Sequence, residues 1–539
     1  MTAAIALLWF ACIPWPPPVP QALPAPAPQP PPALLTPGET AARIDQLFQT
    51  HWDAVEVQPA APATDEEFVR RIYLDLAGRI PSVSEVRQFL SDPNPDRRHK
   101  LVEELLDGPA FVRHFTILWR NTLIPEALDD IRTRQLTPGF EAWLWTQLSA
   151  GTPWDKVVRD IITTPLNPAA VPNQPLTTAN SPSAFFLLRD FKPDELASGT
   201  SRAFLGVRLD CAQCHDHPFD HWKQHQFWNL AAFYSGLQQP DVAADAPMMT
   251  FTTEDSSRRS IVIPRTGETV PARFLSGEQP DWQPNDFPRQ VLANWITSPS
   301  NPWFSRMAAN QVWSLFMGQG IVHPIDDFSE SNPPSHPAVL QLLAEQFAAH
   351  NFDLRFLVRT ITATRVYQLS SRKSHASQTE PEDFSRAALR GLTPEQVFDS
   401  LAEATGFYQP YRSDNPFAIA DSTPRGRFLE LFRDSAESPL SKETTILQAL
   451  AMINGDFVTS ATSPENSSTL RSIVDFPLMS DEDRLEAIFL AALSRRPSED
   501  EIQKCLELLK SAPTSDASAN TLGDIFWALL NSSEFLLNH

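Results

Sequence analysis

The sequence predicts a mainly α-helical protein of two helical domains with a small β insert between them, on three observations. Apolar residues recur at helical spacing along most of the chain after Thr40. Fifty-one prolines against 17 glycines point to many short helices joined by stiff connections. Between 246 and 275 the pattern turns β-branched or alternating instead, in MMTFTT and SIVIPRTGETVPARF. The expected divisions are 1–39, a signal peptide and Pro-rich tether; 40–240, the first helical domain; 241–280, the β insert or linker; and 281–539, the second helical domain.

A chain of 539 residues has room for more than one core. Its apolar share of 42%, with 14 Trp and 34 Phe, is that of a globular protein. The apolar run from Ala3 to Ile13 is too short to span a bilayer and suits a signal-peptide core, although no Lys or Arg precedes it. Prolines then dominate from Pro14 to Pro37, the composition of an extended tether. Export to the periplasm or cell surface is expected, with no transmembrane span in the mature chain.

In EEFVRRIYLDLAGRIPSVSEVRQFL, residues Phe68, Ile72 and Leu76 with Val69 and Tyr73 make one wide apolar face, closed by Gly78 and Pro81. Ser82 with Glu85 reads as a capping box opening a helix that buries Val86, Phe89 and Leu90. RRHKLVEELL continues through Leu101, Leu105 and Leu106, and FTILWRNTLI and GFEAWLWTQLSAG follow, the latter ending at Gly151. The Pro/Asn/Thr run 163–183 is a loop long enough to be a lid or disordered. PDELASGTSRAFLGVRLD places Leu196, Thr200, Ala203, Phe204 and Val207 on one helical side and delivers Cys211 at the helix end. After a break at Pro218, QHQFWNLAAFYSGL packs Phe227, Leu230, Ala231 and Tyr234. The β insert turns at Thr266–Gly267 between two short strands. Helices resume in PRQVLANWITSPSNPWF and in SHPAVLQLLAEQFAAH, the second starting at Pro337 with Leu340, Leu343 and Phe347 inward. LGDIFWALLNSSEFLLN is apolar on several sides and is expected to be buried.

With 43 basic against 65 acidic residues the net charge is -22, which repels nucleic-acid phosphates and anionic lipid surfaces. The chemistry concentrates in CAQCHDHPFDHW, residues 211–222, which hold two of the four cysteines. Cys211-Ala-Gln-Cys214-His215 has the spacing of a c-type haem site: two thiols for two vinyl groups, and an adjacent imidazole as axial ligand of the iron. Met248, Met249, His221 and His225 are candidates for the sixth ligand. Export agrees with this, because haem is attached outside the bacterial cytoplasm. The rival is a zinc site of Cys211 and Cys214 with His217 and His221 or His225. A disulfide within the CxxC is a third reading, without the βαβ context of a thiol-exchange fold. Asp216, His217, Asp220 and His221 also suit plain caps and surface groups around Pro218.

GQGIVHPIDDFSESNPPSHP, residues 318–337, gathers His323, Asp326, Asp327, Glu330 and His336. Paired carboxylates and histidines suit acid–base work or a hard cation, but Asp and Ser beside Asn-Pro-Pro are first of all turn and cap formers. Cys505, on EDEIQKCLELLK, reads as a buried apolar residue. Neither a GxSxG elbow nor a Walker loop is present.

RRIYLDLAGRIPSVSEVRQFL, FLGVRLDCAQCHDHPFDHW, NPWFSRMAANQVWSLFMGQGIVHPIDDFSESNPPSHP, DLRFLVRTITATRVYQLSS and WALLNSSEFLLNH occur in that order. Together they resemble the planctomycete family of exported proteins that pairs two domains of unknown function, the first carrying the CxxCH block. The likeness runs from about Thr40 to His539. It implies export and this architecture, with Cys211, Cys214 and His215 as haem anchors and Asp216, His217, Pro218 and Phe219 in the same block. The family's own activity is undefined. The expected function is therefore an exported protein holding one haem c for electron transfer or redox catalysis with a redox or cell-envelope protein partner, whether or not it is an enzyme. The alternative is a non-redox envelope binding or scaffold protein with a zinc or disulfide staple at Cys211–His215. A hydrolase using the 318–337 carboxylates comes third.

Overall fold

Several helix starts in this chain are written as side-chain caps, and the computed structural model shows them formed. It describes residues 33–128, 136–166, 180–218, 220–238, 253–408, 423–433 and 456–539. Thr36 and Glu39 cap α1 (Pro37–Ala54) reciprocally. Thr64 accepts from the Glu67 amide at the start of α2 (Asp65–Ala77), and left-handed Gly78 ends that helix. The expected box opens α3 (Val83–Ser91): the Ser82 amide donates to Glu85 Oε2 at 2.7 Å, and the Glu85 amide to Ser82 Oγ at 3.2 Å. Each such cap contributes about 1 kcal/mol by satisfying amides that have no partner inside the helix. α4 (Arg97–Asp107), α5 (Pro109–Leu123), α6 (Thr137–Ser149) and α7 (Trp154–Thr163) follow. Most of the expected lid or disordered loop, 167–179, lies outside the described residues.

α2 departs from a one-faced helix, for every residue from Phe68 to Ala77 is buried. Two cores meet on it. Phe68, Ile72 and Leu76 join a core that runs from Ile44 to Phe384, with Leu490 added. Leu74, together with Ile80, joins a second core built from Val397 to Phe535. The cores divide between Phe384 and Val397, whereas composition places the divisions at 240 and 281. Residues on both sides of the β insert therefore share one interior, and Leu34–His539 form one compact unit. Cys505 packs half-buried against the second core, where burial pushes its thiol up.

Because α2 is enclosed, its charged residues must be paired inside the protein. Asp75 accepts from Tyr367 Oη at 2.9 Å, from the Arg390 guanidinium at 2.8 Å and from Asn538 Nδ2 at 2.8 Å. Arg71 donates to the carbonyls of Tyr367 and Leu369 and to Glu67; Arg70 donates to those of Ala492, Glu534 and Phe535.

Beyond α7 come α8 (Pro193–Thr200) and α9 (Gln224–Ala231), the latter burying Phe227, Leu230 and Ala231 as expected. β1 (Leu237–Gln238) pairs antiparallel with β2 (Thr253–Glu254). β3 (Ser260–Val262) and β4 (Thr269–Pro271) form the expected hairpin around Thr266–Gly267, with Gly267 at φ 73°. Of MMTFTT only Thr253 lies within the described residues. α10 (Pro288–Ile296), α11 (Phe304–Met317), α12 (Pro337–Ala349) and α13 (Leu354–Ala363) complete the first core. β5 (Arg390–Gly391) pairs with β6 (Leu537–Asn538), bringing Asn538 to Asp75. The apolar C-terminal segment forms α14 (Ser515–Leu530), with Leu522, Phe526 and Leu530 buried in the second core. The fold is mainly α. Among the described residues no helix is long and apolar enough to cross a membrane.

Candidate functional site

The approach to Cys211 is set by an interrupted helix. α8 buries Leu196 and Thr200, widens into a π turn over Ser201–Leu205, and stops at Gly206 with φ 69°. A Cβ on Gly206 would stand 2.5 Å from the Phe328 ring, and the Phe328 amide donates to the Gly206 carbonyl at 2.8 Å. A left-handed residue in such a close approach has to be glycine. The helix therefore does not run on to Cys211. After buried Val207 and Leu209, Asp210–Gln213 form a separate 3-10 turn.

In that turn Ala212 is fully buried, while Cys211 and Cys214 are exposed and both are free thiols. Cys211 lies within the turn and Cys214 caps its end. The backbone beneath them is tied down. Gln224, at the start of α9, donates Nε2 to the carbonyls of Gln213 at 3.2 Å and Cys214 at 2.9 Å. Trp228 Nε1 donates to the Gln213 carbonyl at 3.0 Å, and Gln213 Nε2 donates to Asp194 in α8 at 2.8 Å.

His215 is exposed, with Nδ1 2.7 Å from the Asp216 carbonyl. A carbonyl can only accept, so Nδ1 carries the proton and Nε2 the lone pair of the neutral ring. The Gln224 amide, followed by the Lys223 ammonium, holds the Asp216 carboxyl below the usual carboxylate range. His217 is half-buried, its amide donating to the Trp222 carbonyl at 2.8 Å. His221 is exposed, its Nδ1 2.8 Å from Asp220 and 3.9 Å from Glu330. His225 is exposed as well. Phe219, Met248 and Met249 lie outside the described residues. Among the described residues no three His, Cys, Asp or Glu side chains converge as a metal-binding group.

The 318–337 segment is shared between two places. Asp326 reaches the approach to the cysteines, accepting from Arg202 at 3.0 Å and from Arg208 at 2.5 Å. Burial alone would raise its carboxyl, but the two guanidiniums outweigh that and hold it below the usual range. Asp327 is half-buried in its turn, and His323 is exposed. His336 is buried at the start of α12, its ring 4.5 Å from those of Phe48 and His51. Its Nε2 has no hydrogen-bond partner, and burial, followed by the neighbouring His51, pushes its pKa down to about 4. His51 Nε2 in turn meets Asp383 at 2.8 Å. Asp326 and His336 thus have different partners. Sequence reading missed Arg202, Arg208, Gln224 and Trp228 at the cysteine turn, and His51 and Asp383 beside His336. Only the two arginines flanking Gly206 carried any local signal.

Residues 43–239 match a family model described as a protein of unknown function, DUF1549, and residues 288–427 match one described as a protein of unknown function, DUF1553. The chain is thus a helical protein in which two domains of unknown function are found, the cysteine turn in the first and Asp326 in the second. Searches of the curated proteins and of the solved structures find no match.

Proposed function

We propose that the Cys211–His215 turn holds one haem c, in an exported protein of the planctomycete type that the sequence resembles, for electron transfer or redox catalysis with a protein partner of the cell envelope. The observation that carries this reading is a pair of free, exposed thiols at a tied-down turn, followed at once by an exposed imidazole whose Nε2 bears its lone pair. That donor set fits the group. Cys211 and Cys214 would hold it through thioether bonds and His215 through Nε2, with the Asp216 carbonyl orienting the ring. The haem supplies a reversible one-electron couple when bound. Gln224 and Trp228 keep the turn's carbonyls satisfied, and buried Ala212 keeps the thiols outward, accessible to attachment.

Expression in a host with haem-attachment machinery should give a Soret band and an intact mass raised by one haem. Replacing both Cys211 and Cys214 by Ser should remove both signals. A wild-type protein exported by such a host without either signal rules the reading out. A second reading, a zinc staple in a non-redox scaffold, draws on His221, whose Nδ1 lies against the Asp220 carboxylate as metal-bound imidazoles commonly do. Stoichiometric zinc in the same preparation would favour it.

A further inference from the structure

We infer that Asp326, in the second matched region, is a positioning residue for the cysteine turn in the first, so that the candidate site is composite. The inference rests on reading Cys211–His215 as the functional site, but it concerns the turn's conformation and not what the turn holds. Asp326 is the largely buried centre of a short chain of ion pairs, its side chain 15% exposed. Arg208, three residues before Cys211, donates to one of its oxygens, and Arg202 donates to the other through two nitrogens at 3.0 and 3.2 Å. Arg202 also faces Asp210, the residue next to Cys211, at 3.6 Å.

A surface pair such as Arg202 with Asp210 would contribute little alone. A carboxylate largely withdrawn from water and accepting from two guanidiniums at once orients both of them, although the guanidiniums themselves remain 48% and 39% exposed. Two residues further on, Phe328 holds Gly206 through the backbone bond and the ring contact. The approach to Cys211 is thereby held at Arg202, Gly206 and Arg208 by one loop of the second region. Losing Asp326 frees Arg202 and Arg208 together, and the spacing and facing of the two thiols relax with them.

The equilibrium between the Cys211–Cys214 dithiol and its disulfide reads this directly in the full chain, without any cofactor. In glutathione buffers the two thiols give up two protons and two electrons, and one glutathione disulfide becomes two glutathiones. Asp326→Asn should shift the equilibrium constant about tenfold, the scale of one lost charge-assisted contact. Asp326→Glu should restore most of it, and Arg208→Gln, which breaks the same contact from the other side, should shift it in the same direction. Thermal midpoints within a few degrees of wild type keep the readout local. Should Asp326→Asn fail to fold, Arg208→Gln decides. Equilibrium constants within twofold of wild type in both variants overturn the inference, even if the wild-type protein carries haem. A shift in a protein that never takes up haem supports the inference while the haem reading falls.

Discussion

Gly206 and His336 show how single residues carry structural demands that composition hides. Gly206 is left-handed and pressed against Phe328, so Gly206→Ala meets backbone strain and a clash together. The expected cost is about 1–3 kcal/mol, read as a lower urea midpoint. His336 titrates in the opposite sense to most histidines with partners. Its buried, unpartnered Nε2 faces protonatable His51, and only Asp383 opposes them, so its folded pKa lies near 4, below the ordinary 6.5. The unfolded chain therefore binds the extra proton first. Stability associated with neutral His336 is complete above pH 6.5 and drains away as pH falls towards 4, by about 3 kcal/mol in all. Urea titrations from pH 7 to pH 4 should show that slope, and His336→Gln should flatten it. An unchanged slope would remove His336 from the acid response.

At the scale of elements, α2 is the test of how far periodicity reaches. Its apolar residues Phe68, Ile72 and Leu76 were legible from spacing, and so were the Ser82 cap and the Gly78 stop. Burial of Arg70, Arg71 and Asp75 was not, because apart from the Arg71–Glu67 pair their partners lie from about 290 to 470 residues away. Asp75→Ala would leave Arg390 as an uncompensated buried cation and strip Tyr367 and Asn538 of an acceptor. A loss of about 3–5 kcal/mol is expected, measured by chemical denaturation. A loss below about 1 kcal/mol would mean that water replaces the carboxylate. The cysteine turn repeats the lesson. Its metal-binding residue types stood out in the sequence, yet the helix expected to carry Cys211 stops at Gly206, a left-handed glycine that Phe328 crowds from a distant segment.

For the whole molecule, the sharing of α2 by two cores has a thermodynamic consequence. Neither core can be dissolved without exposing one face of that helix and its buried charges, so the two should unfold together. Far-UV circular dichroism and tryptophan fluorescence should report a single coincident urea transition, despite a length at which separate steps are usual. Two resolved midpoints would contradict the coupling.

Local physics was enough for the sequence by itself to determine the helical class, the Ser82 cap, the hairpin turn at Thr266–Gly267 and the residue types at Cys211–His215. Periodicity, capping and turn chemistry act within a few residues and leave a local trace. The tertiary structure alone decided that residues on both sides of the β insert share a core, that α2 is enclosed, and that Asp326 meets Arg202 and Arg208. Those outcomes depend on groups far apart in the chain, which attract one another only once the backbone has brought them together.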